Sequence, residues 1–132
     1  MQTLYQDKFV KILYAPDLEQ TEHHWSKESY EMSEEEFKNF QLKNLEIAKQ
    51  TFPKRLLVNT VDFKFTVTPE IQDWINQDLH PQFERMGMKK IAFLMSTDFY
   101  AHFSIEQIFD DCRFFQVEYF DQEENARLWL LN

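Results

Sequence analysis

Four histidines, one cysteine and 23 acidic residues are the groups of this chain most able to do chemistry. Their spacing argues against most of it. His23 and His24 are neighbours on a segment of strand character, so their rings point to opposite faces and cannot share a metal ion. His80 stands beside Pro81, and His102 falls in a loop. No histidine pair has the i, i+3 or i, i+4 spacing of a helical zinc site, and the lone Cys112 cannot build a thiolate cluster. Surface or helix-capping roles are expected for the histidines. Cys112 shares an apolar helical stripe with Ile105, Ile108 and Phe109, the pattern of a buried and inert thiol. Asp110 and Asp111 are adjacent on that helix and face different directions. No Gly-x-Ser-x-Gly elbow or His-Glu-x-x-His pair occurs. An enzyme would have to use Asp62, Asp98 or His102 at predicted strand ends, and no general acid/base pair emerges from them. The expectation is a domain without catalytic activity, metal or cofactor.

Composition narrows the field further. A single glycine in 132 residues removes glycine-rich phosphate loops and dinucleotide fingerprints, which need several positions of close backbone approach. A formal net charge of −9 opposes binding to nucleic acid and to anionic membranes. One cysteine excludes a disulfide framework and points to a reducing compartment. Met1–Val10 lacks the apolar core of a signal peptide, and no apolar run reaches the roughly 20 residues of a membrane span. A cytoplasmic location and a single domain over 1–132 are expected.

The aromatic residues hold more promise. They make up 17% of the chain, with 14 phenylalanines among them. Phe63 and Phe65, then Phe99, Tyr100 and Phe103, fall in loops on the expected ligand side of the sheet, and Trp74 lies in the helix after the first loop. Together these rings could line an apolar pocket or a partner-binding patch. Equally, they could complete the core beneath the loops.

Elements of regular structure must position these groups. Phe9–Ala15 reads as a strand, Pro16-Asp17 as a turn, and Leu18–Trp25 as a polar, antiparallel edge strand. Ser33 and Glu36 form a capping box, with Met32 and Phe37 as its hydrophobic staple. The helix they open carries the stripe Phe37, Phe40, Leu42, Leu45, Ile47, Ala48 and stops before Pro53. Arg55–Val61 is a strand around Leu56-Leu57-Val58, and Asp62–Val67 is a loop. Thr68 caps a second helix with Pro69 at its first position. Pro81 should kink or break that helix, and Gly87 should cap its end. Lys90–Met95 is a buried strand, Ser96–Phe103 a loop, and Ser104 with Gln107 opens a helix to about Arg113. Phe115–Phe120 is the last strand, and Asp121 with Glu124 caps the last helix. The acidic runs Glu34–Glu36 and Asp121–Glu124 sit where they compensate helix dipoles.

Strands alternating with helices imply an α/β fold: a mostly parallel sheet of four to five strands, an N-terminal β-hairpin, and helices packed on the sheet. Ligands in such sheets approach the carboxyl ends of the parallel strands. The element order, with Leu57-Val58-Asn59-Thr60-Val61-Asp62 leading into Thr68-Pro69-Glu70-Ile71 and then Lys89-Lys90-Ile91-Ala92-Phe93, resembles the STAS-like, SpoIIAA-like group of bacterial signalling domains. In anti-sigma-factor antagonists of that group a strand ends in Asp, and a phosphorylated Ser followed by Gly opens the next helix. Asp62 matches the acid. No Ser-Gly pair follows it, and the nearest hydroxyls are Thr66 and Thr68. A phosphate there would suit a helix N-terminus; against this, Thr68 is accounted for as a cap.

The resemblance implies a non-enzymatic regulatory or protein-interaction domain. Its surface would comprise Asp62, Phe63, Phe65, Thr66, Thr68, Trp74, Phe99, Tyr100, His102 and Phe103. The alternative is a binder of a small apolar or lipid-like ligand between the same loops. A homodimer could form through the polar edge strand or the hydrophobic run Leu128–Leu131.

Overall fold

A computed structural model describes residues 1–97 and 114–132. Its first long helix, α1 (Glu34–Thr51), begins where local chemistry dictates. The Ser33 hydroxyl accepts from the Glu36 N–H at 3.1 Å, and the Glu36 carboxylate accepts from the Ser33 N–H at 3.0 Å. Two orphan donors of the first turn are thereby satisfied, with three glutamates beside the positive end of the dipole. Met32 and Phe37 on either side of the cap are both buried in one core cluster. Phe52 ends the helix in the left-handed conformation at φ 49, and Pro53 follows.

Six strands form one mixed sheet among the described residues, in strict chain order. They are β1 (Gln2–Gln6), β2 (Val10–Ala15), β3 (Gln20–Trp25), β4 (Arg55–Asn59), β5 (Lys90–Leu94) and β6 (Gln116–Phe120). The pairs β1–β2 and β2–β3 are antiparallel, and β3 through β6 are parallel. Gln2–Gln6 is a strand that sequence patterning does not reveal, since only Leu4 and Tyr5 of its residues are apolar enough to signal one. It pairs with β2 alone, and a register irregularity lies between Thr3 and Tyr5.

The position of β3 corrects an expectation. Leu18–Trp25 reads as an edge strand because of its polarity, yet β3 lies third in the sheet between β2 and β4. Gln20, Thr21, Glu22 and His23 are buried. Polar side chains tolerate such a place only with partners, and these partners are described below.

Alternation sends β-strand side chains to two faces. One face carries Ile12, His23, Trp25, Leu56, Val58, Ile91 and Phe93, and α1 packs on it through Phe37, Phe40, Leu45, Ile47 and Ala48. The opposite face carries Leu57, Ala92 and Leu94 and is covered by the last helix, α4 (Glu123–Leu131), through Ala126 and Leu130. The fully buried Leu57-Ala92 pair explains why β4 and β5 read as continuous apolar runs. Asp121 does not cap α4. The N-cap is Gln122, with no side-chain bond, so the cap-plus-three spacing of Asp121 and Glu124 has no structural counterpart. In the run Leu128–Leu131, Leu130 is buried while Leu128 and Leu131 are exposed.

Between β4 and β5 the chain forms α2 (Pro69–Trp74), a π-helical stretch (Ile75–Leu79) and α3 (His80–Arg85). Thr68 caps α2 by accepting from the Ile71 N–H at 3.3 Å. Pro81 does not break the path at its own position, since α3 runs through it from His80 to Arg85. The α pattern widens one turn earlier, with the His80 N–H bonded to the Ile75 carbonyl. A proline inside a helix lacks one donor and crowds the carbonyl four residues back, and a wide turn ahead of it relieves both. Gly87 follows α3 at φ +100, a conformation that L side chains resist.

The helix expected to open at Ser104 and run to about Arg113, and the residues Asp98–Phe103, lie outside the described residues. Among the described residues no helix is long and apolar enough to cross a membrane.

Candidate functional site

The face of the sheet beneath α1 does not close completely on its helices. A cavity of about 580 Å³ lies between β3, β4 and β5 on one side and α1, α2, the π stretch and α3 on the other. Sites for small molecules span roughly 300–1,000 Å³. Its floor is the alternating set Trp25, Val58 and Phe93, and its aromatic wall is Phe37, Phe63 and Phe65. The wall is ordered by ring packing. Phe37 and Phe65 stack with centroids 4.6 Å apart and planes 11° apart, while Phe63 meets Trp25 edge-on at 4.8 Å.

Helical periodicity places polar groups on the same cavity. Gln41 and Asn44 follow Phe37 at i+4 and i+7 on α1, and Gln72 and Asn76 are one turn apart on the second helical run. His23 lies on the floor, and its Nε2–H donates to Asn44 Oδ1 at 3.0 Å. Burial pushes the imidazole pKa down to about 4, against the Asn44 hydrogen bond, with His24 adding repulsion. His80 also lines the cavity, and burial lowers its pKa to about 4. Both rings are therefore neutral near pH 7. They are core residues, contrary to the surface or capping role that their spacing suggests. No described carboxylate lines the cavity, and its one lysine, Lys64, is exposed.

The residues singled out from the sequence divide into three groups. Phe63, Phe65 and Thr66 line the cavity; Phe63 and Phe65 also pack against the core, so both readings of those rings apply to them. Asp62, Thr68 and Trp74 do not line it. Thr68 spends its hydroxyl on the cap. Trp74 packs against the core, with Lys38 Nζ 5.7 Å from its ring centre. Phe99, Tyr100, His102 and Phe103 lie outside the described residues, as do Asp98 and Cys112.

A second polar cluster, unforeseen in the sequence, occupies the opposite face. Glu22 on β3 is 1% exposed. Arg127 of α4 clamps it with two bonds, Nη1 to Oε2 at 2.6 Å and Nη2 to Oε1 at 3.1 Å. Gln20 donates to Oε2 at 3.0 Å, and His24 Nε2 lies 2.9 Å from Oε1. Burial alone would raise this carboxyl, but the hydrogen bonds from His24, Arg127 and Gln20 and the guanidinium charge prevail and hold it at about 2. His24 Nδ1 in turn lies 3.4 Å from Asn59 Nδ2. This cluster ties α4 to the middle of the sheet, and every oxygen of Glu22 is occupied by the protein itself.

Among the described residues no three His, Cys, Asp or Glu side chains gather as a metal site. Comparison with protein-family models, curated proteins and solved structures finds no match to this chain.

Proposed function

We propose that this protein binds a small, largely apolar molecule in the cavity between its sheet and α1. The observation that carries the reading is the cavity itself: about 580 Å³, walled by Trp25, Phe37, Phe63 and Phe65, with a few polar groups converging from two helices. That combination is the usual make-up of a small-molecule site, in which apolar walls provide affinity and sparse polar groups provide orientation. Binding is favoured over acid–base catalysis because the two imidazoles are neutral and the described lining holds no carboxylate to pair with them. A role as a STAS-like regulatory module is compatible with this reading, the ligand then acting as its signal; the alternation of parallel strands and helices supports that kinship.

The test uses a neutral fluorescent probe, N-phenylnaphthylamine, whose emission rises in apolar surroundings. Saturable binding to the wild-type protein is expected, lost in Gln72→Trp, which places an indole into the cavity from a half-buried helical position. Absence of saturable binding to the wild type, or unchanged binding to the folded variant, refutes the reading.

A further inference from the structure

Gln41 on α1, Gln72 on α2 and Asn76 in the π stretch all line the cavity and are all half-buried. Their side-chain amides make no hydrogen bond among the described residues, in contrast to Asn44, whose oxygen is taken by His23. A carboxamide offers an acceptor oxygen and a two-proton donor nitrogen side by side. Removing such groups from water without a partner is costly. Their complement is therefore a molecule that also carries a donor and an acceptor side by side.

Charge and shape narrow the class. His23 and His80 are neutral, no described lining residue is acidic, and Lys64 is exposed. An ion enclosed among these groups would lack a counter-charge, which burial penalises heavily. The parallel rings of Phe37 and Phe65, with Trp25 stacked on Phe37 at 6.0 Å and 25°, favour a flat ring system over a flexible chain.

We propose that the cavity takes an uncharged planar heteroaromatic compound of lactam type, with an N–H and a C=O adjacent on one edge, read by Gln41, Gln72 and Asn76. The proposal rests on the cavity-binding reading above, which requires only an apolar body. Both the amide edge and the flat ring are needed for recognition. A lipid-like chain satisfies the walls and leaves the three amides unpaired.

Displacement of N-phenylnaphthylamine from the wild-type protein tests it, using three two-ring competitors of similar size. Carbostyril has the N–H and C=O edge, its N-methyl derivative lacks the donor, and naphthalene lacks both. Carbostyril should bind about tenfold tighter than either, the equivalent of one to two net hydrogen bonds. In Gln72→Leu/Asn76→Leu the preference should fall to less than about threefold. The comparison on wild-type protein stands even where the double variant does not fold. Equal affinity of the three competitors, or tighter binding of naphthalene or decanoate, overturns this inference and leaves the cavity-binding reading intact. Failure of every compound to bind overturns both.

Discussion

Arg127→Met removes the charge that holds Glu22 in the sheet while keeping most of the apolar stem of the side chain. The wild-type carboxyl has a pKa of about 2 instead of 4.5. Each pKa unit is worth about 1.4 kcal/mol, so the folded state gains about 3 kcal/mol from ionised Glu22 near neutral pH. The sign follows from proton binding. A carboxyl whose folded value is depressed stabilises the fold fully above 4.5 and loses that contribution as pH falls toward 2. In the variant, Gln20 and His24 still donate to Glu22, but burial now opposes ionisation with no guanidinium to answer it. Breaking one partner of a buried pair typically costs about 3–5 kcal/mol. Arg127 is one-third exposed, which brings the expectation to the lower end, about 3 kcal/mol.

Urea unfolding of both proteins across a pH series measures this directly. Near pH 7 the variant should be less stable by about 3 kcal/mol, or roughly 10 °C in Tm for a chain of this length. Near pH 3 the difference should shrink to less than about half, because the wild-type carboxyl is then losing its own advantage. Contributions from the buried histidines are common to both proteins and cancel. A difference that is the same at both pH values would show that Arg127 acts through packing of its stem, and the electrostatic account of the cluster would be wrong.

Two further outcomes follow from burial. His23 has a pKa of about 4, against 6.5 for a free imidazole. It therefore contributes stability that is complete above 6.5 and lost as pH falls through 4. Its ring carbon signals in a proton–carbon NMR titration should stay at their neutral positions from about pH 7 down to about pH 5, and movement at a midpoint near the free value would refute its enclosure. Leu57→Ala, at a fully buried site against Ala92, Leu94 and Leu130, should cost about 3 kcal/mol in urea unfolding. A loss below about 1 kcal/mol would mean that α4 does not seal that face.

The parts of the fold legible in the sequence are those written in neighbouring residues. Ser33 with Glu36, Thr68 with Pro69, and Gly87 after a helical stripe each solve a local problem of unpaired backbone groups or positive φ. Strand β1 is not legible because an edge strand needs few apolar residues, and Gln2, Thr3 and Gln6 supply none. The burial of β3 is a non-local fact. Nothing within Gln20–Trp25 tells that Arg127, 105 residues later, neutralises Glu22, or that Asn44 accepts a hydrogen bond from His23. One signal for the candidate site was present: Asn44 stands seven residues after Phe37, inside the stripe of α1 that is otherwise apolar. A polar residue there marks a place where the helix faces polar groups instead of a dry core. Phe63 and Phe65 were identifiable from their loop, but whether they fill the core or face a cavity depended on how far α1 stands from the sheet, which no local pattern encodes.

The polarity of strand β3 signifies two enclosed polar environments instead of a sheet edge. Its alternation divides six residues between two environments. On one face, Glu22 is ionised, clamped by Arg127 and fully bonded, and it fastens α4. On the other, His23 is neutral, bonded to an amide, and open to a cavity. The first arrangement accounts for itself as a structural tie. The second does not, since an apolar side chain opposite Phe40, which meets the His23 ring edge-on at 5.4 Å, would pack against the sheet without the cost of enclosing an imidazole and a carboxamide. A polar pair kept at that cost on a cavity wall is understandable if it orients something in the cavity. The same reasoning covers Gln41, Gln72 and Asn76, which line the cavity where leucine would match its apolar walls. Replacing the pair by Asn44→Leu with His23→Phe should therefore leave the fold at least as stable while weakening the preference for carbostyril over naphthalene. A variant that kept the wild-type preference would sever the polar pair from the function proposed for the cavity.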